Sequence, residues 1–322
     1  MIMLLRLVCI TCFWLLIVDG VHGKIVFSSS RPRLAFKDPS GSNIFLMNSD
    51  GSDLTRLTHD GGIESYPAWS PDGHHIAYER AFRGWDIWVM NADGTDRQNL
   101  TSHVPADARD PLWDYTPSWH PDGDRIAFHR FIWETEETHI YVISIDDGHI
   151  KKFIANAFTP RFSPDGKWIG FLSNNNQLWV ANADGTNPRQ LSDEEDVELG
   201  GWSPDSRQIL YRQLGGPLDP QILFILTVDP VFDDKQAVPN KEIRMPIRFT
   251  DPTFGADGKS ILFSGHGGGK RWHIYRMYLE DERVIQLTFG EFIDYYPHEW
   301  KIPLPVSPRG KVPLLWGEIK EK

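Results

Sequence analysis

Four carboxylates recur at one position of the sequence and are its clearest candidates for binding chemistry. Each stands three residues before a landmark in which proline or glycine closely precedes an aromatic residue. The four residues are Glu64, Asp114, Glu198 and Asp294. Gathered like charges raise one another's pKa and favour a cation or a basic group among them. The pattern predicts binding of a cation such as calcium, or of a basic peptide, unless each acid only caps the amides of its own loop.

Aromatic side chains accompany these acids along the chain. They are Tyr66, Trp113, Tyr115, Tyr295 and Tyr296. Tyrosine and tryptophan are enriched among the residues that carry the binding energy of protein interfaces. We therefore predict that this group contacts a partner protein.

A glycine-rich run offers two other chemistries, and its surroundings argue against both. Residues 265–269 read Gly-His-Gly-Gly-Gly, like the oxyanion loop of an esterase, and Lys270 follows as in a phosphate loop. An esterase also needs a Gly-x-Ser-x-Gly elbow, which this sequence lacks. A phosphate loop needs Ser or Thr after the lysine, where this sequence has Arg271. The run is predicted to be a hairpin loop.

The elements that must position these residues come from an internal repeat, which begins at Lys24. Its aromatic landmarks are Trp69, Trp119, Phe162, Trp202, Phe254 and Trp300. A turn spelled Ser-Pro-Asp-Gly, or a close variant, follows at residues 70–73, 120–123, 163–166, 203–206 and 255–258. Proline sets φ in such a turn, Asp bonds the nearby backbone, and Gly takes the positive φ at its end.

Short apolar strands follow each turn. The first set begins at Ile25, Ile76, Ile126, Ile169, Ile209 and Ile261, and the second at Ile44, Ile87, Ile140, Leu178, Ile222 and Ile274. Asp-Gly hairpin signals follow, clearest in residues 91–95 and 182–186. Edge strands are predicted at residues 56–58, 99–101, 152–154, 190–192, 248–250 and 286–288. Four short strands per unit, at intervals of about 40 to 54 residues, are typical of propeller blades.

The two chain ends are predicted to share one blade. The repeat starts with the second strand of a unit at Ile25, and the matching innermost strand, around residues 297–300, comes near the other end. Such sharing closes the ring and removes exposed sheet edges. The predicted fold is all-β: a six-bladed β-propeller of four-stranded antiparallel blades over residues 24–302, with a C-terminal tail at 303–322.

The repeat resembles the WD-like propeller repeat of the TolB family. The resemblance rests on the Ser-Pro-Asp-Gly-x-x-Ile-Ala-Phe core and on the Asp-Ile-x-Val-Met-Asn-Ala-Asp-Gly-Thr hairpin, and it covers residues 24–300. It implies the same six-bladed fold.

Histidines are a further candidate, because oligogalacturonate lyase is similar to this propeller class and uses a histidine-bound metal. The histidines here are scattered over several blades: His74, His75, His120, His129, His139, His266, His273 and His298. His139 and His273 occupy strand positions that Asn43, Asp86 and Gln177 hold in other units, which indicates a structural role. We therefore assign no catalytic residue, no cofactor and no histidine-bound metal.

The first 23 residues are typical of a secretory signal peptide. Arg6 is their only positive side chain, residues 7–18 are apolar, and Val21 and Gly23 are small residues before Lys24. The apolar stretch is shorter than the roughly 20 residues of a membrane span, although an uncleaved anchor is an alternative. Both cysteines, Cys9 and Cys12, lie in this segment, so the mature chain is predicted to have no disulfide.

These observations narrow the function to two classes. The net charge of −11 argues against nucleic acid as a partner. We predict an exported, periplasmic or extracellular monomer without a transmembrane segment in its mature chain. It would be a scaffold that binds another protein or a basic peptide at one face or in the central channel. The alternative is a polysaccharide lyase or hydrolase with the channel as its active site, since propellers host many functions.

Overall fold

The computed structural model describes residues 23–31, 41–82, 84–102, 112–192, 194–214, 222–228, 241–269 and 271–301. The predicted signal peptide lies outside these residues except for Gly23, and the predicted tail lies outside them entirely. Both therefore stay predictions.

The described residues form antiparallel strands in six sheets of four. The strands are β1 (Gly23–Ser29), β2 (Asn43–Asn48), β3 (Thr55–Arg56), β4 (Ile63–Trp69), β5 (His75–Ala81), β6 (Trp85–Asn91), β7 (Gln98–Asn99), β8 (Leu112–Trp119), β9 (Arg125–Ile132), β10 (Glu137–Ser144), β11 (Ile150–Ile154), β12 (Ala157–Phe162), β13 (Trp168–Ser173), β14 (Leu178–Asn182), β15 (Arg189–Gln190), β16 (Val197–Trp202), β17 (Gln208–Gln213), β18 (Ile222–Thr227), β19 (Lys241–Arg244), β20 (Arg248–Phe254), β21 (Ser260–His266), β22 (His273–Tyr278), β23 (Val284–Gln286) and β24 (Asp294–Lys301). The prediction of an all-β, six-bladed propeller is confirmed.

Each sheet is one blade, and strands from both ends of the described chain share the first. From the inside outward, blade 1 is β24-β1-β2-β3, blade 2 is β4 to β7, blade 3 is β8 to β11, blade 4 is β12 to β15, blade 5 is β16 to β19, and blade 6 is β20 to β23. Each inner strand contacts the inner strand of the next blade, and β20 and β4 both contact β24. The predicted ring closure is confirmed.

The antiparallel order gives the ring two distinct faces. The start of each inner strand and the hairpin between the second and third strands lie at one end of the blade, which we name the front face. The hairpins between the first and second strands, and between the third and fourth, lie at the opposite rear face.

The rear-face turns use the predicted chemistry. In the first Ser-Pro-Asp-Gly turn, Ser70 Oγ donates to Asp72 Oδ1 at 2.6 Å, and Gly73 has φ +71°. An added Cβ at Gly73 would also lie 2.2 Å from the ring of Trp300. Only glycine fits both the conformation and the space.

The hydrophobic core is divided into six clusters, one at each interface between neighbouring blades. At the interface of blades 2 and 3, for example, Val89 of β6 and Trp119 of β8 share a cluster with Ile87 and Phe128. Each blade thus buries its faces only against its two neighbours, as in other repeat architectures.

One predicted edge strand is wrong. Residues 248–250 belong to β20, the inner strand of blade 6, while β19 is the outer strand of blade 5. Phe249 is fully buried, which an exposed edge strand would not require, and Ile243 of β19 packs into the core. The prediction failed because residues 248–250, Arg-Phe-Thr, have nearly the same sequence as Arg-Leu-Thr at residues 56–58 of the first edge strand.

The sixth aromatic landmark is also displaced by one residue. In the other blades the landmark aromatic pairs with the first isoleucine of the second strand, as Trp69 does with Ile76. In blade 1 the partner of Ile25 is Glu299, and Trp300 pairs with Lys24 instead. Trp300 packs its ring against Trp69 of the next blade, with centroids 5.9 Å apart. Glu299 therefore occupies the core position that aromatic residues hold elsewhere.

Candidate functional site

Three of the four predicted carboxylates lie in the protein interior. Glu64, Asp114 and Asp294 hold the same register position near the start of their inner strands, and each is 0% exposed. The equivalent residues of the other blades are also buried: Ala157, Val197 and Phe249. This position belongs to the core of every blade.

Asp114 is neutralised by an arginine of its own blade. Arg130, its register partner on β9, donates two hydrogen bonds to the carboxylate at 2.7 and 2.8 Å. Arg130 is itself 6% exposed. Bidentate pairs of this kind satisfy both charges, and removing one partner would leave the other buried and uncompensated.

Glu64 and Asp294 have similar partners. Arg80, the register partner of Glu64, lies 3.5 Å from its Oε1, and Thr58 Oγ1 donates to Oε2 at 2.5 Å. Burial outweighs these contacts and raises the pKa of Glu64 above its ordinary value. Asp294 accepts a hydrogen bond from Arg31 Nη2 at 2.9 Å. Each carboxylate thus has a cationic partner within the protein.

Glu198 differs from the other three, and its predicted equivalence to them is wrong. In blade 5 the residue at the position of Glu64 is Val197, and Glu198 faces Arg212 one register step further along. The two bulges each add one residue, but Gly201 directly precedes Trp202 whereas Pro67 stands two residues before Trp69. A count of three residues back from Gly201 therefore ends one position too late, at Glu198. Glu198 accepts from Arg212 at 2.6 Å and from the backbone N–H of Asp251 in blade 6.

The geometry therefore assigns every predicted carboxylate a partner inside the propeller. The partners are arginines, hydroxyls and one backbone amide of a neighbouring blade, rather than only the loop amides that simple capping would involve. Binding of calcium or of a basic peptide by these four residues stays a prediction, to be tested against this arrangement.

A cavity of about 600 Å³ opens at the front end of the channel beside blades 1, 2 and 3. Its walls include aromatic residues from the inner strands: Tyr66, Tyr115, Tyr295 and Tyr296. Trp85 of β6 also lines it. The structure thus brings together four of the five aromatic residues that the sequence singled out, and a volume of this size is within the range of ligand sites.

The tyrosines are placed by a bulge in the inner strands. Tyr66 and Tyr296 directly precede prolines and have positive φ values of 49° and 56°. Their rings stack at 3.7 Å between centroids, joining blades 1 and 2. Tyr115 lies 5.4 Å from the ring of Trp85 and 5.2 Å from that of His129. The same left-handed conformation before proline recurs in blades 3, 4 and 6, so it is a property of the repeat.

Glu79 is a buried carboxylate in the wall of this cavity. It is 3% exposed and lies on β5 opposite Ser65. Its Oε1 accepts a hydrogen bond from Ser65 Oγ at 2.6 Å and its Oε2 accepts one from the Thr116 N–H at 3.0 Å. Burial raises the pKa of Glu79 to about 7 against these two bonds and the charge of Arg161. Within the described residues, no arginine, lysine or histidine lies within ion-pair distance of it.

Other titratable groups line the channel behind Glu79. Burial, followed by the charge of Glu198, raises the pKa of Asp251 well above its ordinary value. Burial lowers the pKa of Arg161, while the charge of Asp251 and those of the other channel carboxylates oppose that shift. Burial also lowers the pKa of His129 to about 3 and that of His298 to about 4, so both are neutral near pH 7.

The other histidines within the described ranges are not among the residues that line the cavity. His139 and His273 lie at equivalent register positions of their third strands, which agrees with the structural role suggested for them. Among the described residues, the grouping with metal-ligand spacing is His120, Asp122 and Asp124, in the rear-face turn of blade 3. His120 Nδ1 already accepts the Asp122 N–H, at 3.3 Å.

Exposed aromatic residues stand beside the cavity on the front face. Phe82 and Trp133 lie in the hairpins between the second and third strands of blades 2 and 3, and they are 65% and 49% exposed. Trp133 meets Trp113 edge to face at 4.7 Å, and Trp113 in turn lies 6.3 Å from Tyr115. A continuous aromatic surface therefore runs from the cavity to the outside of blade 3.

Sequence reasoning missed Glu79, Asp251 and Arg161. Glu79 is the fourth residue counted from the first isoleucine of the second strand, a position held by Ser28, His129, Leu172, Arg212 and Ser264 in the other blades. This mixture of residue types is the available signal, because the preceding position of the same strand is aromatic in every blade: Phe27, Tyr78, Phe128, Phe171, Tyr211 and Phe263. Asp251 was hidden because it replaces the Tyr or Thr that precedes proline in other blades.

Comparison with known proteins supports the fold. Over 87% of this chain and 67% of the other, the structure superposes on TolB from Acinetobacter baumannii with a TM-score of 0.72 and 18% sequence identity. An oligogalacturonate lyase in complex with manganese superposes over 83% of this chain and 74% of its own, with a TM-score of 0.56 and 16% identity. The chain is a TolB-like six-bladed propeller.

Curated relatives match in part. The uncharacterized peptidase YuxL of Bacillus subtilis is 24% identical over an alignment of 189 positions, gaps included, that covers 48% of this chain and 28% of the peptidase. The Tol-Pal system protein TolB of Rhizorhabdus wittichii is 36% identical over 76 residues, 23% of this chain and 17% of TolB. The chain thus spans less than a third of either relative. No family model matches it.

In the part of the chain that the structure describes, no helix is long and apolar enough to cross a membrane.

Proposed function

We propose that this protein is an exported propeller scaffold that binds another protein at its front face, around the mouth of the channel. The observation that carries the proposal is the cavity of about 600 Å³ whose tyrosine wall continues through Trp113 into the exposed Trp133. The exposed Phe82 stands in the front-face hairpin of the neighbouring blade 2. Large aromatic residues that are held in place by their neighbours supply contact area at a low entropic cost. Scattered exposed apolar residues are common, but a connected aromatic surface beside a cavity is typical of a binding site.

Export rests on the leader predicted from residues 1–23, and the TolB-like fold is compatible with a scaffold role.

Affinity capture tests the proposal. The purified protein, the Trp133→Ala variant and the Leu54→Ala variant are each used as bait against envelope and secreted fractions of the native cell. Leu54 is a matched control, because it is 45% exposed and lies between β2 and β3, toward the rear face. We expect one protein to be retained by the parent and by Leu54→Ala, and to be lost from Trp133→Ala. Equal retention by all three baits contradicts the proposal.

The alternative function is a polysaccharide lyase or hydrolase that uses the channel. Glu79 and Asp251, two acids whose pKa burial raises, are the residues that such chemistry would draw on. Incubation with polygalacturonate and other acidic polysaccharides, with and without Mn²⁺, separates the two functions. Release of unsaturated or reducing ends that disappears in Glu79→Gln would favour the enzyme.

A further inference from the structure

Glu79 differs from every carboxylate that the sequence singled out. Glu64, Asp114, Glu198 and Asp294 each have an arginine within 3.5 Å, whereas Glu79 is held by a hydroxyl and a backbone amide. It is also the carboxylate that lines the front cavity. A buried charge without a counter-charge is costly, and a ligand that supplies the opposite charge removes that cost.

The charged residues around Glu79 also favour a cationic ligand. Glu198 and Arg212 cancel each other as an ion pair. The other charged groups that interact there are Glu79, Asp251 and Arg161, two acids and one base. His129 and His298 are neutral near pH 7. Burial favours the neutral form of Asp251, so among the described groups Arg161 is left as the counter-charge of Glu79, and it acts from beyond ion-pair distance. A cationic group in the cavity would give Glu79 the direct ion pair that it lacks.

The walls of the cavity suit an organic cation. The faces of tyrosine and tryptophan rings attract ammonium and guanidinium groups, and Tyr66, Trp85, Tyr115, Tyr295 and Tyr296 surround the space. A metal ion would require several oxygen or nitrogen ligands at short distance. Among the described residues, the grouping with that spacing lies in the rear-face turn at His120, away from this cavity.

We propose that the front cavity is the receptor for one lysine or arginine side chain of the bound partner, with Glu79 as its counter-ion and the tyrosines as its cage. The inference rests on the proposed function, because the mouth of the cavity continues into the aromatic surface at Trp133. The sequence predicted a basic ligand for Glu64, Asp114, Glu198 and Asp294. The proposal assigns such a ligand to Glu79 instead.

The test uses short peptides in place of the partner. Acetyl-Gly-Arg-Gly-amide is compared with acetyl-Gly-citrulline-Gly-amide, a neutral isostere, by calorimetric titration of the purified protein at pH 8. The parent is expected to bind the arginine peptide at least about tenfold more tightly than the citrulline peptide, which corresponds to about 1.4 kcal/mol. Glu79→Gln is expected to remove this preference. Glu242→Gln, which removes a half-exposed acid of the outer strand β19, is expected to retain it.

Several outcomes overturn the inference. If the parent binds both peptides equally, or binds neither, this result overturns the inference by itself, even if the variants fail to fold. A full preference in Glu79→Gln also overturns it, as does stabilisation by 1 mM CaCl₂ that depends on Glu79, which would assign the site to a metal ion. If affinity capture succeeds while the peptides fail, the protein-binding function stands and only the cationic side chain is excluded.

Discussion

Arg276 Nη2 donates to Glu299 Oε1 at 2.6 Å across the interface where the ring closes. The two side chains are 5% and 0% exposed. At the other five interfaces the same two positions share an apolar cluster, as Val89 and Trp119 do. The equivalent pairs there are Leu46 and Trp69, Val142 and Phe162, Val180 and Trp202, and Ile225 and Phe254. A buried ion pair thus marks the interface at which β24 must dock.

Replacing either member of this ion pair should destabilise the propeller more than replacing an exposed charged residue does. We expect Glu299→Gln and Arg276→Met each to lower the free energy of unfolding by about 3 to 5 kcal/mol, because each leaves its partner buried and uncompensated. The double variant Arg276→Val with Glu299→Phe imitates the other interfaces and should lie within about 1 kcal/mol of the parent. Urea unfolding measures all three. Single variants as stable as the parent would show that the pair does not hold the closure.

The pairing of Asp114 with Arg130 predicts a loss of stability on neutralisation. Asp114→Asn should cost at least about 2 kcal/mol, because the buried guanidinium loses its charged acceptor. Glu242→Gln should stay within about 0.5 kcal/mol of the parent, as surface changes usually do. A set of empty ligand carboxylates behaves in the opposite way, since neutralising one relieves repulsion. Thermal melts with and without Ca²⁺ distinguish the two, and an Asp114→Asn protein of unchanged stability would favour the ligand site.

The raised pKa of Glu79 predicts a pH-dependent stability. The folded protein holds this proton up to about pH 7, whereas the unfolded chain releases it near the ordinary value of 4.5. The contribution of Glu79 to stability is therefore greatest at low pH, falls between about pH 4.5 and 7, and is constant above that window. Other titratable residues surround the carboxylate of Glu79: Arg161, His129, Tyr66 and Tyr115.

Glu79→Gln removes this dependence. Between pH 4.5 and pH 8, the free energy of unfolding of the variant should rise by about 3 kcal/mol relative to that of the parent. Unfolding free energies measured at both pH values check this prediction. A constant difference between the two proteins would mean that the pKa of Glu79 is the same in the folded and the unfolded protein.

Export is expected to release the propeller at Lys24. N-terminal sequencing of the mature protein should begin there, directly after the small residues Val21 and Gly23. An intact Met1 in the membrane fraction would favour an uncleaved anchor.

The blades were predictable from the sequence because each repeats one arrangement of strands and turns. The displaced positions were not. Trp300 follows Glu299 directly, so a landmark search finds the aromatic residue and misses the strand register. Glu198 looks equivalent to Glu64 when residues are counted back from Gly201 and Pro67, but it lies four residues before its aromatic landmark where Glu64 lies five, and it pairs one position further along. Strand pairing settles such one-residue shifts, and spacing alone does not.

The cavity depends on closure of the ring. Glu79 is separated from Tyr296 by most of the chain, and the two line one space only because β24 lies beside β4. The tyrosines could be listed from the sequence, but the carboxylate that faces them could not. Its position in the second strand varies from blade to blade, so no local pattern marks it.

Site-specific photo-cross-linking in the native cell tests most directly whether the front face binds a protein. A photoreactive phenylalanine analogue replaces Ile63, which is 40% exposed at the rim of the cavity, or Leu54, which is 45% exposed toward the rear face. The account predicts one discrete adduct from position 63, its loss when Trp133→Ala is added, and no such adduct from position 54. Adducts from position 54 alone, or the same adducts from both positions, would contradict it.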